Sequence, residues 1–334
     1  MRISVGLPAY NQGQYLAETL DSLLRQTVPP GEIVVSDNHS TDETPDILRR
    51  YEGRVRIIRP PEHLPMIAHW NYVVENLSGE WFSLLSSDDV AESGFIEHLQ
   101  RAVTHDRNAV LARGGWLTIS PSGQPTGRCL LLSTSSVTEP PRTFLEQLSG
   151  PKTSFAAFLC RRSAWVEVGG FPTSLRLYGD WGLWLRLSAV GSFVTTHSVV
   201  SRYRTGYPTG RNLERAVDSA HDEREIALHI AMSAAEQLGP SMRPLLQRAA
   251  ARRLTTFLAQ VSKLDADEEV RSRIAAELRP LALATGQEPM LGAFTAGEPL
   301  PLAARPSKLA SGASVIDAQL RTMGGRLRRL GGTN

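Results

Sequence analysis

Three short polar clusters stand directly after apolar, β-branched runs: Pro8-Ala9-Tyr10-Asn11, Asp37-Asn38 and Asp88-Asp89. Adjacent carboxylates repel, so two at one strand end cost energy unless a cation or charged partner compensates. A hard divalent ion with oxygen ligands, Mn2+ or Mg2+, is the natural compensator. Taken singly, the clusters have plain readings. Asp37-Asn38 fits a turn or a helix cap, and Asp88-Asp89 fits the cap of a following helix, although Ser93 is the better cap. Together they point to one binding site only if the strands before them run parallel, because ligands bind beyond the carboxyl ends of such strands.

The elements that must position them follow from periodicity. Ile3–Leu7 reads as a strand stopped by Pro8, which cannot continue a central ladder. Leu16, Leu20, Leu23 and Leu24 share one helical face over 14–26. Glu32–Ser36 is a second strand, and Ser40-Thr41-Asp42-Glu43 has the form of a capping box opening a helix through Arg50. Strands at 55–59, 81–86 and 109–112 alternate with helices at 66–77 and 93–105, the pattern of parallel βαβ units. Pro121-Ser122-Gly123 marks a hairpin. Residues 130–150 read as loop, and 154–160 as either strand or helix. A helix over 180–190 and strands at 193–196 and 199–204 follow. Beyond Gly210 the chain turns to Ala, Leu, Arg and Glu with helical spacing, and 285–313 is rich in Ala, Pro, Gly and Ser. The expected organisation is an α/β domain over 1–210, a helical region over 211–284, and a loose linker with a basic tail over 285–334.

Composition narrows the classes. The 334 residues carry 36 Lys+Arg against 34 Asp+Glu, a net charge of +2, which leaves no electrostatic footprint for a nucleic-acid duplex. Cys129 and Cys160 are too few for a disulfide framework or a closed zinc site and suit a reducing compartment. No apolar run approaches the ~20 residues that span a bilayer, and the N-terminus reads as a strand rather than a signal peptide. A cytoplasmic enzyme is expected. Arg321, Arg326, Arg328 and Arg329 with Leu320, Leu327 and Leu330 would allow peripheral contact of the tail with the inner face of a membrane. A homo-oligomer is compatible with all of this.

The run from Ser4 to Thr44 (SVGLPAYNQGQYLAETLDSLLRQTVPPGEIVVSDNHSTDET) resembles the start of the inverting glycosyltransferases of family 2, which have the GT-A fold. The similarity continues through His69–Val90 (HWNYVVENLSGEWFSLLSSDDV) and Val168–Leu187 (VGGFPTSLRLYGDWGLWLRL) and ends near SRYRTG at Ser201–Gly206. The resemblance implies a GT-A, Rossmann-like mixed α/β sheet flanked by helices. It also implies transfer of a sugar from a nucleotide-sugar donor, UDP- or dTDP-linked, to a saccharide or lipid-linked saccharide acceptor, as in polysaccharide biosynthesis. Carried onto this sequence, Pro8 and Tyr10 would frame the base, with Asn11, Asn38 and Ser87 beside the donor. Asp37 would accept the imide N–H of a pyrimidine, and Asn71 would lie near the donor. Asp88, with Asp89 beside it, would contact Mn2+ or Mg2+, which neutralises charge on the departing diphosphate. Asp180 would be the general base.

Departures from the family pattern concern the metal. Ser86 stands where the first acid of the Asp-x-Asp motif is usual, Gly179 where an acid usually precedes the base, and no His follows Tyr203-Arg204. SDNHSTDET and the HWN stretch are similar to branches that transfer deoxyhexoses such as rhamnose or abequose. Arg202 and Arg204 either clamp phosphate or are solvated strand-edge charges. Two other readings compete. A dinucleotide-binding dehydrogenase is disfavoured because PAYNQGQYL lacks GxGxxG after the first strand. A degenerate, non-catalytic protein that binds a nucleotide sugar or a partner is favoured by the departures and disfavoured by keeping Asp37, Asp88, Asp89 and Asp180.

Overall fold

A computed structural model describes residues 1–131, 134–206, 212–264 and 266–301. The chain forms two compact units. The first comprises Met1–Thr143, Thr153–Thr173 and Val190–Tyr207. The second comprises Phe144–Lys152, Ser174–Ala189 and the described residues after Pro208. Two early segments, Phe144–Lys152 and Ser174–Ala189, thus group with the C-terminal helices.

The first unit holds a mixed sheet. It begins β1 (Ile3–Ala9), α1 (Gly13–Leu24), β2 (Glu32–Asp37), α2 (Thr44–Arg49), β3 (Arg56–Ile58), α3 (Met66–Glu75), β4 (Trp81–Leu84), β5 (Val90–Ala91) and α4 (Phe95–Val103). It continues β6 (Ala109–Ile119), β7 (Pro125–Cys129), β8 (Ser136–Thr138), β9 (Phe158–Arg161), α6 (Arg162–Glu167) and β10 (Ser192–Arg204). Helix α5 (Arg142–Leu148) begins where this unit gives way to the second. Strand order is β3-β2-β1-β4-β9-β6-β10-β5, with β7 on β6 and β8 on β10. β1 to β4 are mutually parallel, whereas β9 runs antiparallel to both its neighbours. This is the mixed, mainly parallel GT-A architecture expected above. The leucines at 16, 20 and 23 are fully buried along with Val5 and Leu7, so the predicted face of α1 is the one that packs.

Several elements differ from expectation. Pro8 lies inside β1 rather than ending it. Gly6 O accepts from Leu85 N on the β4 side, and Ala9 O accepts from Asn38 N on the β2 side. By alternation the missing N–H of Pro8 would point toward β4, which has ended at Leu84, so no ladder bond is lost. The two strands expected over 193–204 are one strand, β10, with its register to β6 shifted between Thr195 and Ser201, a bulge that the sequence break reflects. Part of the expected loop over 130–150 pairs with β10 as β8.

The second unit is helical. It contains α7 (Gly179–Val190, as far as Ala189) and α8 (Asn212–Glu225), which runs through a π-helical turn (Ile226–Ile230) into α9 (Ala231–Leu238). α10 (Met242–Val261), α11 (Glu268–Thr285) and α12 (Glu288–Ala296) follow. Leu254, Phe257, Leu258, Ile274, Leu278 and Phe294 are at the centre of its core. Trp181 explains why α7 groups here: its indole N–H donates to Gln147 O at 2.8 Å, and Arg253 of α10 lies over its ring at 4.7 Å. α12 occupies part of the stretch read as a loose linker, with Leu291 and Phe294 buried against the helices. The basic tail lies outside the described residues. Among the described residues no helix is long and apolar enough to cross a membrane.

α11 has a side-chain cap at its start. Asp267 is its N-cap and accepts from Val270 N at 2.8 Å. Asp267→Ala is expected to lower stability by about 1 kcal/mol, read by chemical denaturation of the full chain.

Candidate active site

β1 lies between β2 and β4, so strand order reverses about it, and the loops leaving these three parallel strands emerge at one edge of the sheet, at their carboxyl ends. Two of the loops are sewn together. Ser40 N donates to Asp37 Oδ1 at 2.9 Å, Asn11 N to Ser40 Oγ at 3.0 Å, and Thr41 N to Asn11 Oδ1 at 2.8 Å. Gln12 N donates to Thr44 Oγ1 and Gly13 N to Asp42 Oδ2, at 3.3 and 2.9 Å. The expected capping box is thus spent differently. Ser40 and Asp42 satisfy orphan N–H groups at the start of α1, while α2 has Glu43 as N-cap without a side-chain bond. The approach is close enough that a Cβ on Gly13 would sit 2.8 Å from Thr44 N. Asn11 takes a left-handed conformation, φ 51°, to make the turn.

Asp37 is buried at the end of β2. Its Oδ1 is used by Ser40, and its Oδ2 lies 3.9 Å from Arg59 Nη1. Tyr10 is 47% exposed, with its ring edge-on to His63 at 4.8 Å. Asn38 has its amide tied to the loop before α3, donating to Leu64 O at 2.8 Å and accepting from Leu64 N at 2.9 Å. Asn71 behaves likewise, donating to Phe171 O at 2.8 Å and accepting from Phe171 N at 2.9 Å. It braces the turn at Gly169 and Gly170, both at positive φ, where a Cβ on Gly170 would meet Asn71 Oδ1 at 2.9 Å.

The loop after β4 carries Ser87, Asp88 and Asp89 with different fates. Ser87 is buried, and its carbonyl accepts from Thr19 Oγ1 at 3.0 Å. Asp88 is partly exposed. Asp89 is fully buried: its Oδ1 accepts from Arg204 N at 2.8 Å and its carbonyl from Thr19 Oγ1 at 2.7 Å. Burial, with the neighbouring Asp88 charge, pushes the Asp89 carboxyl well above the usual carboxylate range. Asp89, expected beside Asp88 at a metal, is thus tied through Oδ1 to the backbone of β10, and its Oδ2 is buried without a hydrogen-bond partner. Arg204 is likewise a strut rather than a phosphate clamp. It is 3% exposed, and its guanidinium donates to Asp88 O (2.8 Å), Ser120 O (3.3 Å), Pro121 O (3.1 Å) and Glu18 Oε2 (2.6 Å). Arg202 pairs with Glu92 at 2.7 Å. Thr19 was missed because nothing in a helical leucine pattern marks a threonine that braces another loop.

Among the described residues no three His, Cys, Asp or Glu side chains form a group able to hold a metal ion. One accessible carboxylate, Asp88, fits an ion shared with a diphosphate and water, as Mg2+ commonly is; it does not form a ready-made metal cage.

Asp180 belongs to the second unit, in the first turn of α7, and its Oδ1 accepts from Trp181 N at 2.8 Å. Burial pushes its pKa up to about 6, with the Asp222 charge adding and the Trp181 N–H opposing.

A mixed α/β sheet with polar loops at its switch point, together with a helical C-terminal region, is a GT-A-like fold. Residues 4–166, just under half of the chain, match the model of Glycosyl transferase family 2. An uncharacterized glycosyltransferase of Rickettsia felis is 27% identical over 205 residues, covering 60% of this chain and 34% of that one. The TuaG protein of Bacillus subtilis, a putative teichuronic acid biosynthesis glycosyltransferase, is 29% identical over 126 residues, 37% of this chain and 50% of that one. This chain thus spans from about a fifth to under two thirds of the length of the curated relatives it matches. Among solved structures, S. aureus TarS superposes with TM-score 0.66 at 17% identity, over 89% of this chain and 53% of that one. A shorter TarS form, 1-349, is solved in complex with UDP-GlcNAc (TM-score 0.57, 16% identity, 89% and 90% covered). The mannosyltransferase PcManGT of Pyrobaculum calidifontis, in complex with GDP-Man and Mn2+, superposes with TM-score 0.53 at 17% identity, over 99% of this chain and 87% of that one. At these identities the structural likeness speaks for the fold.

Beneath Asp37, His69 Nε2 lies 2.8 Å from Ser36 Oγ, and burial pushes the ring down to about 4 against 6.5 when free. The ring folds neutral, so its contribution to stability is complete above 6.5 and is lost as pH falls from there through about 4. Denaturant unfolding across that window is expected to lose on the order of 3 kcal/mol through this residue, and His69→Gln to flatten the slope.

Proposed function

We propose that the chain is an inverting glycosyltransferase that moves a sugar from a pyrimidine nucleoside diphosphate to a hydroxyl of a saccharide or lipid-linked saccharide. What supports this reading is that Tyr10, Asp37 and Asp88 follow the carboxyl ends of β1, β2 and β4, where the strand order reverses. Asp37 accepts the imide N–H of uracil or thymine, its carboxylate held in place by Ser40 N. The exposed Tyr10 ring stacks on the base. Asp180 removes the proton from the acceptor hydroxyl as that oxygen attacks the anomeric carbon, and the bond from that carbon to the diphosphate oxygen breaks in the same displacement. A carboxylate with its pKa near 6 is a competent base at neutral pH while remaining ionised. Asp88 would hold a divalent ion, Mn2+ or Mg2+, which when bound neutralises charge on the departing diphosphate. The name of the TuaG relative supports a polysaccharide acceptor, and the UDP-GlcNAc complex of TarS supports a UDP-linked donor. The deoxyhexose branch is the dTDP arm of the same proposal.

A thermal-shift screen over UDP-, dTDP- and GDP-sugars with Mn2+ or Mg2+ tests the donor site. A UDP- or dTDP-sugar is expected to raise Tm, and Asp37→Ala to abolish the rise; no response to any of them removes the donor site. Asp180→Asn is expected to keep donor binding and lose transfer by roughly 10²–10⁴-fold. Wild-type transfer is expected to rise with pH through about 6 as Asp180 ionises. Full transfer by Asp180→Asn removes the base assignment. A wild type that binds donor yet neither transfers nor hydrolyses it supports the non-catalytic reading.

A further inference from the structure

Asp222 on α8 is fully buried, and every bond it makes is to one turn of the chain. Its Oδ1 accepts from Arg176 N at 2.9 Å, and its Oδ2 from Leu177 N at 2.7 Å and Tyr178 N at 2.8 Å. Three consecutive N–H groups converging on one carboxylate form an anion nest, here filled by the protein's own side chain. Tyr178 O then accepts from Gly182 N at 2.9 Å, the bond that opens α7, and Asp180 lies within the turn so closed. The grip is wider than one residue. Asp218 Oδ1 accepts from Arg176 Nη1 at 3.0 Å, and His221 Nε2 lies 3.0 Å from Ser174 O. Residues 218, 221 and 222 share one helical face, so α8 holds the whole approach to α7.

We propose that Asp222 is the positioning residue for Asp180, fixing the turn from which the base projects and placing a second negative charge beside it. This rests on the reading of Asp180 as the base. No local pattern announces Asp222, because it stands in a polar stretch of helix far along the chain from the residue it serves. The ionisable groups around the turn are Asp218, His221, Asp222, Glu223 and Arg224 of α8, Arg253 of α10 paired with Glu223, Glu277 of α11 facing Arg176 and Arg224, and Arg176 and Tyr178 of the turn itself. Of these, Asp222 is the one whose charge pushes Asp180 upward.

Asp222→Asn is nearly isosteric, yet it removes the charge and turns one acceptor oxygen into a donor facing a backbone N–H. The test follows the Asp180 carboxyl by carbon NMR through a pH titration of the full chain, with Asp180→Asn to assign the signal. Amide exchange at 176–178 is measured in parallel, and UDP affinity with Mn2+ by calorimetry. In Asp222→Asn the Asp180 midpoint is expected to fall below the wild-type value of about 6. Exchange at Leu177 and Tyr178 is expected to speed up by about tenfold or more, with UDP affinity unchanged. An unmoved midpoint with unmoved exchange overturns the proposal, as does equal loss of UDP affinity, which marks general damage. Should the variant not fold, the wild type decides: amides at 176–178 exchanging as freely as an exposed loop also overturn it. Full sugar transfer by Asp180→Asn sinks the base assignment alone, so the two failures are distinguishable.

Discussion

Arg204 carries a permanent charge into a place nearly closed to water, where an unpaired guanidinium would be strongly destabilising. It is compensated by three backbone carbonyls and one carboxylate, with the Tyr15 ring 4.4 Å from its Cζ. The partners come from three stretches: Asp88 from the loop after β4, Ser120 and Pro121 from the β6–β7 hairpin, and Glu18 and Tyr15 from α1. The fork geometry of a guanidinium allows one side chain to fix three elements at once. The neighbouring backbone N–H of Arg204 does the same for Asp89, so the end of β10 determines how the Asp88-Asp89 pair is presented. One carboxylate is buried and the other left accessible, which turns an electrostatically awkward doublet into a single usable acid.

The same economy governs the other loops. Backbone N–H groups at the start of α1 would be orphans if the loop after β2 did not supply Ser40, Asp42 and Thr44. Position in this site is therefore set by hydrogen-bond satisfaction between loops, while the leucine-rich faces of the helices supply the adhesion beneath.

The sequence was legible where periodicity is local. The alternation of β-branched runs with leucine faces identified β1 to β4 and the helices between them, and the three polar clusters did emerge at one edge of the sheet. It was illegible where a decision depends on a distant partner. β8 is strand because β10 offers it an edge, and Pro8 continues β1 because β4 stops early. Asn38 and Asn71 have the composition of ligand-binding residues, but an amide carries donor and acceptor together, and each closes a two-bond clasp on a single backbone residue. Asp89 and Arg204 are charged residues whose burial could not be read from neighbours in sequence. α12 arises in a segment whose Ala, Pro and Gly content resembles a linker because Leu291 and Phe294 find a core to enter.

The clasp between Asn38 and Leu64 separates backbone from side chains in the loop between β3 and α3. With Leu64 anchored and Pro60 O held 3.0 Å from His39 Nε2, the path of the loop is fixed at both ends. Pro61, Glu62 and His63 between those anchors are exposed and enter neither bond. Such a segment is a cassette: substitution of its outward residues leaves both backbone anchors intact. Beside Tyr10, it is a region where relatives can diverge in what they recognise while keeping the same frame.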